Sequence, residues 1–185
     1  MQLKLFMLLI GCTPAGRNTE QHDVFFGIGS SLNDLLPQLS NFWKDGGKLH
    51  IDSWREVTKV DDYSVSIILK EGNEPVNPAG LFFLNLGGYK PDDLEEYHYK
   101  IITAASDKAE AIKKSKQTAF YLHTGFKGAE SHIDDKYGID IDDIYAIEEI
   151  LAEDIKKRYS IRLELAEQGL PDDELHPGYV KLSSL

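Results

Sequence analysis

The chain begins with a nearly unbroken apolar run. Residues 3–10, LKLFMLLI, have the pattern of a short strand buried on both faces, and a loop containing Gly and Pro follows over 11–18. Residues 21–28 are rich in Val, Phe and Ile and predict a second strand. Leu32, Leu35, Leu36, Leu39, Phe42 and Trp43 then keep the i, i+3, i+4, i+7 spacing of one helix face. Ser30, Ser31 and Asn33 are candidate N-caps, and Pro37 is tolerated in the first turn, where no intrahelical donor is lost. Two more strands are predicted at 50–57 and 63–69, with a turn at Asp61-Asp62.

The same order of patterns then starts again. "LFMLLIG" at 5–11 recurs as "LFFLNLG" at 81–87, aligning Leu5/Leu81, Phe6/Phe82, Leu8/Leu84 and Gly11/Gly87 at a shift of 76. That shift also carries Glu20-Gln21-His22 onto Glu96-Tyr97-His98. His50-Ile51-Asp52 matches His132-Ile133-Asp134 at a shift of 82, and "YSVSIIL" at 63–69 matches "YSIRLEL" at 159–165 at a shift of 96. A shift that only grows is what loop insertion in one copy produces. The second copy predicts strands at 81–87 and 97–104. Its helix has Asp107 and Glu110 as a capping box, with Ala109, Ile112, Ala119 and Phe120 on one face. A strand at 144–151 and a short helical turn before Tyr159 follow.

The expected fold is therefore α+β: a tandem duplication of a β-β-α-β-β unit packed with pseudo-two-fold symmetry. Residues 1–72 form the first repeat, 73–80 a Pro- and Gly-bearing linker, 81–168 the second repeat, and 169–185 an irregular tail. The duplication also bears on the N-terminus, where a lysine, an apolar run and Cys12 resemble a short lipoprotein signal. The run 5–10 has a twin in mid-chain, is short for a signal core, and follows a single positive charge. A strand is expected there, with Cys12 in a loop rather than as an anchor.

Composition narrows the function classes. A net charge of −11 over 185 residues argues against nucleic acid as a partner, since phosphate binding relies on Lys and Arg. No apolar stretch approaches the ~20 residues a membrane helix needs, so no membrane partner is expected. Cys12 is the sole cysteine, which rules out an intramolecular disulfide and a Cys-based metal cluster and suits a reducing cytoplasm.

"NTEQHDVFFGIG", "HIDSWREV", "LFFLNLGGYKPDDLEEYHYK" and "HIDDKYGID" together resemble a bacterial family known only as a domain of unknown function, number 1543. The resemblance covers nearly the whole chain. It implies two tandem copies in a bacterial, cytoplasmic protein, and it implies no activity, so residue roles must come from chemistry.

Four constellations carry candidate chemistry. The first is the pair of E-x-H motifs, Glu20/His22 and Glu96/His98. On a strand, i and i+2 share a face about 6.5–7 Å apart, a workable base for two ligands of one metal. Imidazole with carboxylate suits Zn, Mn or Fe more than Cu(I). If the pseudo-dyad joined the two pairs, a two-His, two-Glu metal site would result. The plainer account is a repeated structural hydrogen bond that duplication copied. The second is His50-x-Asp52 with His132-x-Asp134, where Asp would fix the tautomer of a general-base His; an ordinary turn or cross-strand hydrogen bond is the plainer account. The third, "FFGIGSSL", lacks the last glycine of a dinucleotide fingerprint, so a tight turn is expected. The fourth is the acidic stretch 134–154. It fails the calcium-loop spacing, because Ile133 falls where the first Asp must be, and a solvated face is expected.

These observations favour a non-catalytic binding or self-assembling module, with a homo-oligomer or a protein partner formed through strand edges. The alternative is a metal-dependent, hydrolase-like enzyme. In it Glu20, His22, Glu96 and His98 are metal ligands, and His50 with Asp52 or His132 with Asp134 supply the acid/base group.

Overall fold

The N-terminal apolar run becomes β1 (Lys4–Cys12) and the second expected strand becomes β2 (Gln21–Gly29). After a 3-10 turn at Leu32–Leu35, α1 (Leu36–Phe42) starts with Pro37 in its first turn. Then come β3 (His50–Val57), the two-residue β4 (Lys59–Val60) and β5 (Tyr63–Leu69). Asp61, between β4 and β5, takes a φ of 52°, a left-handed conformation that a short polar side chain tolerates. The second series runs β6 (Gly80–Tyr89), β7 (Glu96–Ala105), α2 (Lys108–Ser115), β8 (Ile139–Ala146) and α3 (Ile147–Ile150). The chain ends with α4 (Glu153–Arg158), β9 (Tyr159–Leu165) and β10 (His176–Lys181). This computed structural model describes residues 2–74, 76–89, 92, 94–117 and 139–185. His132, Asp134, Ala119 and Phe120, all singled out above, lie outside the described residues.

The architecture is α+β with antiparallel sheets, in two compact units: Met1–Asn77 with Ile150–Leu185, and Pro78–Glu149. Unit 1 holds a four-stranded sheet in the order β10-β3-β1-β2 and a three-stranded sheet β4-β5-β9. Alternation along β1 puts Phe6, Leu8 and Ile10 on one face, where they pack with Phe25, Leu35, Leu39 and Ile51. Gln38 fastens the helix to the edge strand: its Nε2 donates to the Ile28 carbonyl at 2.8 Å and its Oε1 accepts from the Ile28 N–H at 3.4 Å. Unit 2 holds the sheet β7-β6-β8, and Phe82, Leu84 and Leu86 of β6 pack with Ala105 and Ala111.

Four expectations are corrected. The strand expected at 144–151 lies earlier, at Ile139–Ala146, and Ile147 begins a helical turn, in which Glu148 and Glu149 favour helix over strand. The tail expected to be irregular supplies β10, paired with β3. Pro177 is tolerated there because β10 is an edge strand. Cys12 is the last, fully buried residue of β1, not a loop residue. Gly27 and Gly29 serve close packing more than turn conformation. A Cβ on Gly27 would lie 3.0 Å from Leu35 Cδ2, and one on Gly29 would lie 2.9 Å from Asp34 Cβ.

The two helix starts are stapled alike. Asp34 accepts from the Ser30 hydroxyl at 2.6 Å and the Ser30 N–H at 2.9 Å; Glu110 accepts from the Ser106 N–H and hydroxyl, both at 2.7 Å. In α2 the Asp107 side chain also caps the Glu110 N–H at 2.8 Å, as the capping box predicted. The Ser30 hydroxyl and then its N–H hold the Asp34 carboxyl below its ordinary range. The Ser106 N–H and then its hydroxyl, aided by Lys114 and Lys113, do the same for Glu110. A carboxyl lowered in the folded state adds stability that is whole above its unfolded value and is lost as pH falls through the folded one. Acid titration of the melting temperature from about pH 5 to about pH 2 should therefore fall less steeply in a Ser30→Ala/Ser106→Ala variant than in the parent. Parallel curves would remove the staples from the acid response.

Candidate metal centres

Cross-strand register sets the first cluster. Gly11 of β1 stands opposite His22 of β2 on one side and His50 of β3 on the other, so all three share a sheet face, the one away from Phe6, Leu8 and Ile10. A bulge in β3, where Ile10 pairs with Ile51 and Leu9 with Ser53, leaves Asp52 as the extra residue and re-aims its carboxylate. Glu20 comes from the residue just before β2. The side chains alternate around a ring. His50 Nε2 lies 2.9 Å from Glu20 Oε1 and 3.2 Å from Asp52 Oδ1; His22 Nε2 lies 3.5 Å from Glu20 Oε2 and 3.3 Å from Asp52 Oδ2.

Two features fit this cluster to a cation. Asp52 Oδ2 is buried and accepts no hydrogen bond, although His22 Nε2 is 3.3 Å away. A buried carboxylate oxygen without a donor is costly unless something else satisfies it. Ligand atoms about 2.0–2.2 Å from one tetrahedral ion stand roughly 3.3–3.6 Å apart, close to the spacing found here. The second feature is the floor. A Cβ on Gly11 would lie 2.6 Å from His50 Nε2 and 2.9 Å from Asp52 Oδ2, so only glycine admits these groups.

The surroundings fix some members more than others. His50 is buried, with the Tyr179 ring of β10 at 4.4 Å between centroids, while Glu20 and His22 are about two-fifths exposed. The nearby Cys12 thiol is pushed up, chiefly by burial and then by the Asp45 and Glu20 carboxylates.

Unit 2 repeats the plan at the same register. Gly87 of β6 stands opposite His98 of β7 and opposite Asp140 of β8, and a bulge between Ile141 and Asp143 makes Asp142 the extra residue. His98 Nε2 lies 3.2 Å from Asp142 Oδ2, and ligand atoms of Glu96, His98 and Asp142 all lie within 4.8 Å of one another. A Cβ on Gly87 would lie 2.5 Å from Asp142 Oδ2 and 2.7 Å from Glu96 Oε1.

Each E-x-H pair is thus joined by groups of its own unit. His50 and Asp52, expected as an acid/base dyad, stand in the same cluster as Glu20 and His22. Asp140-Ile141-Asp142, ninety residues on from His50-Ile51-Asp52, holds the same register against Gly87 that the earlier segment holds against Gly11, while the matched segment 132–134 lies outside the described residues. Sequence reasoning had assigned Asp142 to a solvated acidic face and had given Gly11, Gly87 and Tyr179 no part in a site. Gly11-x8-Glu20-x-His22 repeated as Gly87-x8-Glu96-x-His98 was the signal that could have found the glycines.

Comparison with known proteins agrees with this picture at the level of fold. Residues 17–67 match the model of a family described as Domain of Unknown Function (DUF1543), and the four residues of the unit 1 cluster lie inside that stretch. One copy is matched, not the two tandem copies expected. The chain is similar to the crystal structure of a protein Il1583 from Idiomarina loihiensis, with 22% identity, a TM-score of 0.65 and coverage of 97% of each chain. No curated protein matches. Among the described residues, no helix is long and apolar enough to cross a membrane.

Proposed function

We propose that this chain is a metal-binding module whose unit 1 holds a divalent transition ion through Glu20, His22, His50 and Asp52. The buried Asp52 Oδ2, without a hydrogen bond and beside an imidazole nitrogen, carries this reading. Two imidazoles and two carboxylates suit zinc. Four protein donors make a closed set of the structural kind, in which the ion ties strands together and leaves no open position for substrate. The ion would join β1, β2 and β3 at one point, and Tyr179 would hold the His50 ring toward it. The non-catalytic class expected from the sequence is kept, and so are the cytoplasmic setting and the exclusion of nucleic acid.

The reading extends to the chain's history. We take the repeats 1–72 and 81–168 as products of one duplication. The support is their common strand order, the register at Gly11 and Gly87, the bulges before Ser53 and Asp143, and the Ser30 and Ser106 staples. The matched segments β5 and β9 pair antiparallel with Ser66 opposite Arg162, so equivalent residues fall at mirrored positions about a local two-fold.

The test is zinc titration of chelator-stripped protein, followed by calorimetry and melting, in the parent and in His50→Ala. The parent should bind one more equivalent than the variant. At a hundredfold excess over its dissociation constant, zinc should stabilise it by about 2.7 kcal/mol more. Equal stoichiometry and equal stabilisation in the two proteins would defeat the proposal. The exposed Glu20 supports a second reading, in which it yields its place to a water that the ion then activates for hydrolysis. A Glu20→Ala variant that keeps zinc and gains hydrolytic activity on activated esters would favour that reading.

A further inference from the structure

We propose that unit 2 carries a second, separate cation site, formed by Glu96, His98 and Asp142 over Gly87, that takes a harder ion of the Mn2+ class. The inference stands on unit 2 alone. Donor atoms of the three residues lie within 4.8 Å of one another, and they come from two strands flanking β6. Glu96 Oε1 and Asp142 Oδ2 both crowd the point a Gly87 Cβ would occupy, so two carboxylates are packed where a side chain would have excluded them. The bulge at Asp142 is the device that brings the second carboxylate in.

The donor set decides the class of ion. Unit 1 offers two imidazoles with two carboxylates, whereas the described donors of unit 2 are one imidazole and two carboxylates. One imidazole with two carboxylates is a harder donor set than two imidazoles with two carboxylates, which moves preference from zinc toward manganese and magnesium. The two centres would then be tuned to different ions.

Mn2+ itself is the probe. Loss of the free-ion electron paramagnetic resonance signal is titrated in chelator-stripped full-length protein, in Asp142→Asn and in His50→Ala, with circular dichroism and melting confirming the fold of each. The isosteric Asp142→Asn variant should bind Mn2+ at least about a hundredfold more weakly than the parent, beyond the ten- to hundredfold loss usual for a residue that only supports a ligand. His50→Ala should keep the Mn2+ affinity within about twofold. Unchanged Mn2+ binding in Asp142→Asn, or no binding by the parent, would overturn the site. Mn2+ binding lost in His50→Ala and kept in Asp142→Asn would also overturn it, while leaving the unit 1 centre standing. Zinc binding indifferent to His50→Ala, together with Mn2+ binding that needs Asp142, would defeat the unit 1 proposal alone.

Discussion

Gly11→Ala should abolish zinc binding in unit 1 while leaving all four ligands in the chain. The added methyl would fall 2.6 Å from His50 Nε2 and 2.9 Å from Asp52 Oδ2, distances no carbon tolerates. His50 cannot simply swing away, because it is buried and the Tyr179 ring lies at 4.4 Å. It must tilt, β1 must move, or both, and either displacement separates nitrogen from carboxylate by more than a coordination shell allows. Misplacing a direct ligand should weaken zinc by at least about a hundredfold, above the range for supporting residues. Overpacking a fitted position should also destabilise the metal-free protein by about 1–3 kcal/mol. Calorimetric zinc titration of the parent and variant checks the first figure, and urea unfolding in chelator checks the second. A variant that binds zinc within threefold of the parent would mean that the glycine serves the sheet and not an ion.

The largest loss of stability is expected at Leu8. It is fully buried at the centre of β1 and packs with Phe6, Ile10, Phe25, Leu35, Leu39 and Ile51, a set drawn from three strands and the helical segment. Cutting it to alanine removes its transfer free energy and leaves a void that this interlocked set cannot close, at about 2–5 kcal/mol. An exposed leucine on another strand of unit 1 gives the comparison: Leu69 is 63% accessible, and Leu69→Ala should stay within about 0.5 kcal/mol. Urea midpoints of both variants decide the matter. A Leu8→Ala loss under about 1 kcal/mol would show that the core rearranges around the cavity.

The strand–strand–helix order of each unit could be read from the sequence because it rests on local signals. Continuous apolar runs, a 3.6-residue stripe and caps are written within a few neighbours. β3 and β5 begin and end where the pattern put them. What escaped depends on partners far along the chain. The pattern carries no record of hydrogen-bond register, which sets Gly87 opposite Asp140 and so brings Ile139–Ala146 beside β6. In "IDIDDIYA" the acids occupy positions where exposed and site-facing residues look alike, so Asp142 passed for surface. The E-x-H pairs were visible as motifs. Their completion by Asp52, and by Asp142 beyond a second bulge, was not, since a bulge has no sequence mark of its own.

The pairing of β5 with β9 bears on how the protein is made. Tyr63–Leu69 leaves the ribosome about ninety residues before Tyr159–Leu165. At translation rates of 5–20 residues per second, that strand waits roughly 5–20 s for its partner. Unit 2, contiguous at Pro78–Glu149, is fully synthesised within the interval, whereas unit 1 gains Tyr159–Leu165 and His176–Lys181 only later. Until then one side of β5, with Val65 and Ile67, stays open to strands of neighbouring nascent chains. Crowded polysomes are therefore the setting in which this sequence is most exposed to mispairing, and once β9 docks, Asn77 closes the new edge by bonding the Ile161 carbonyl and the Leu163 N–H.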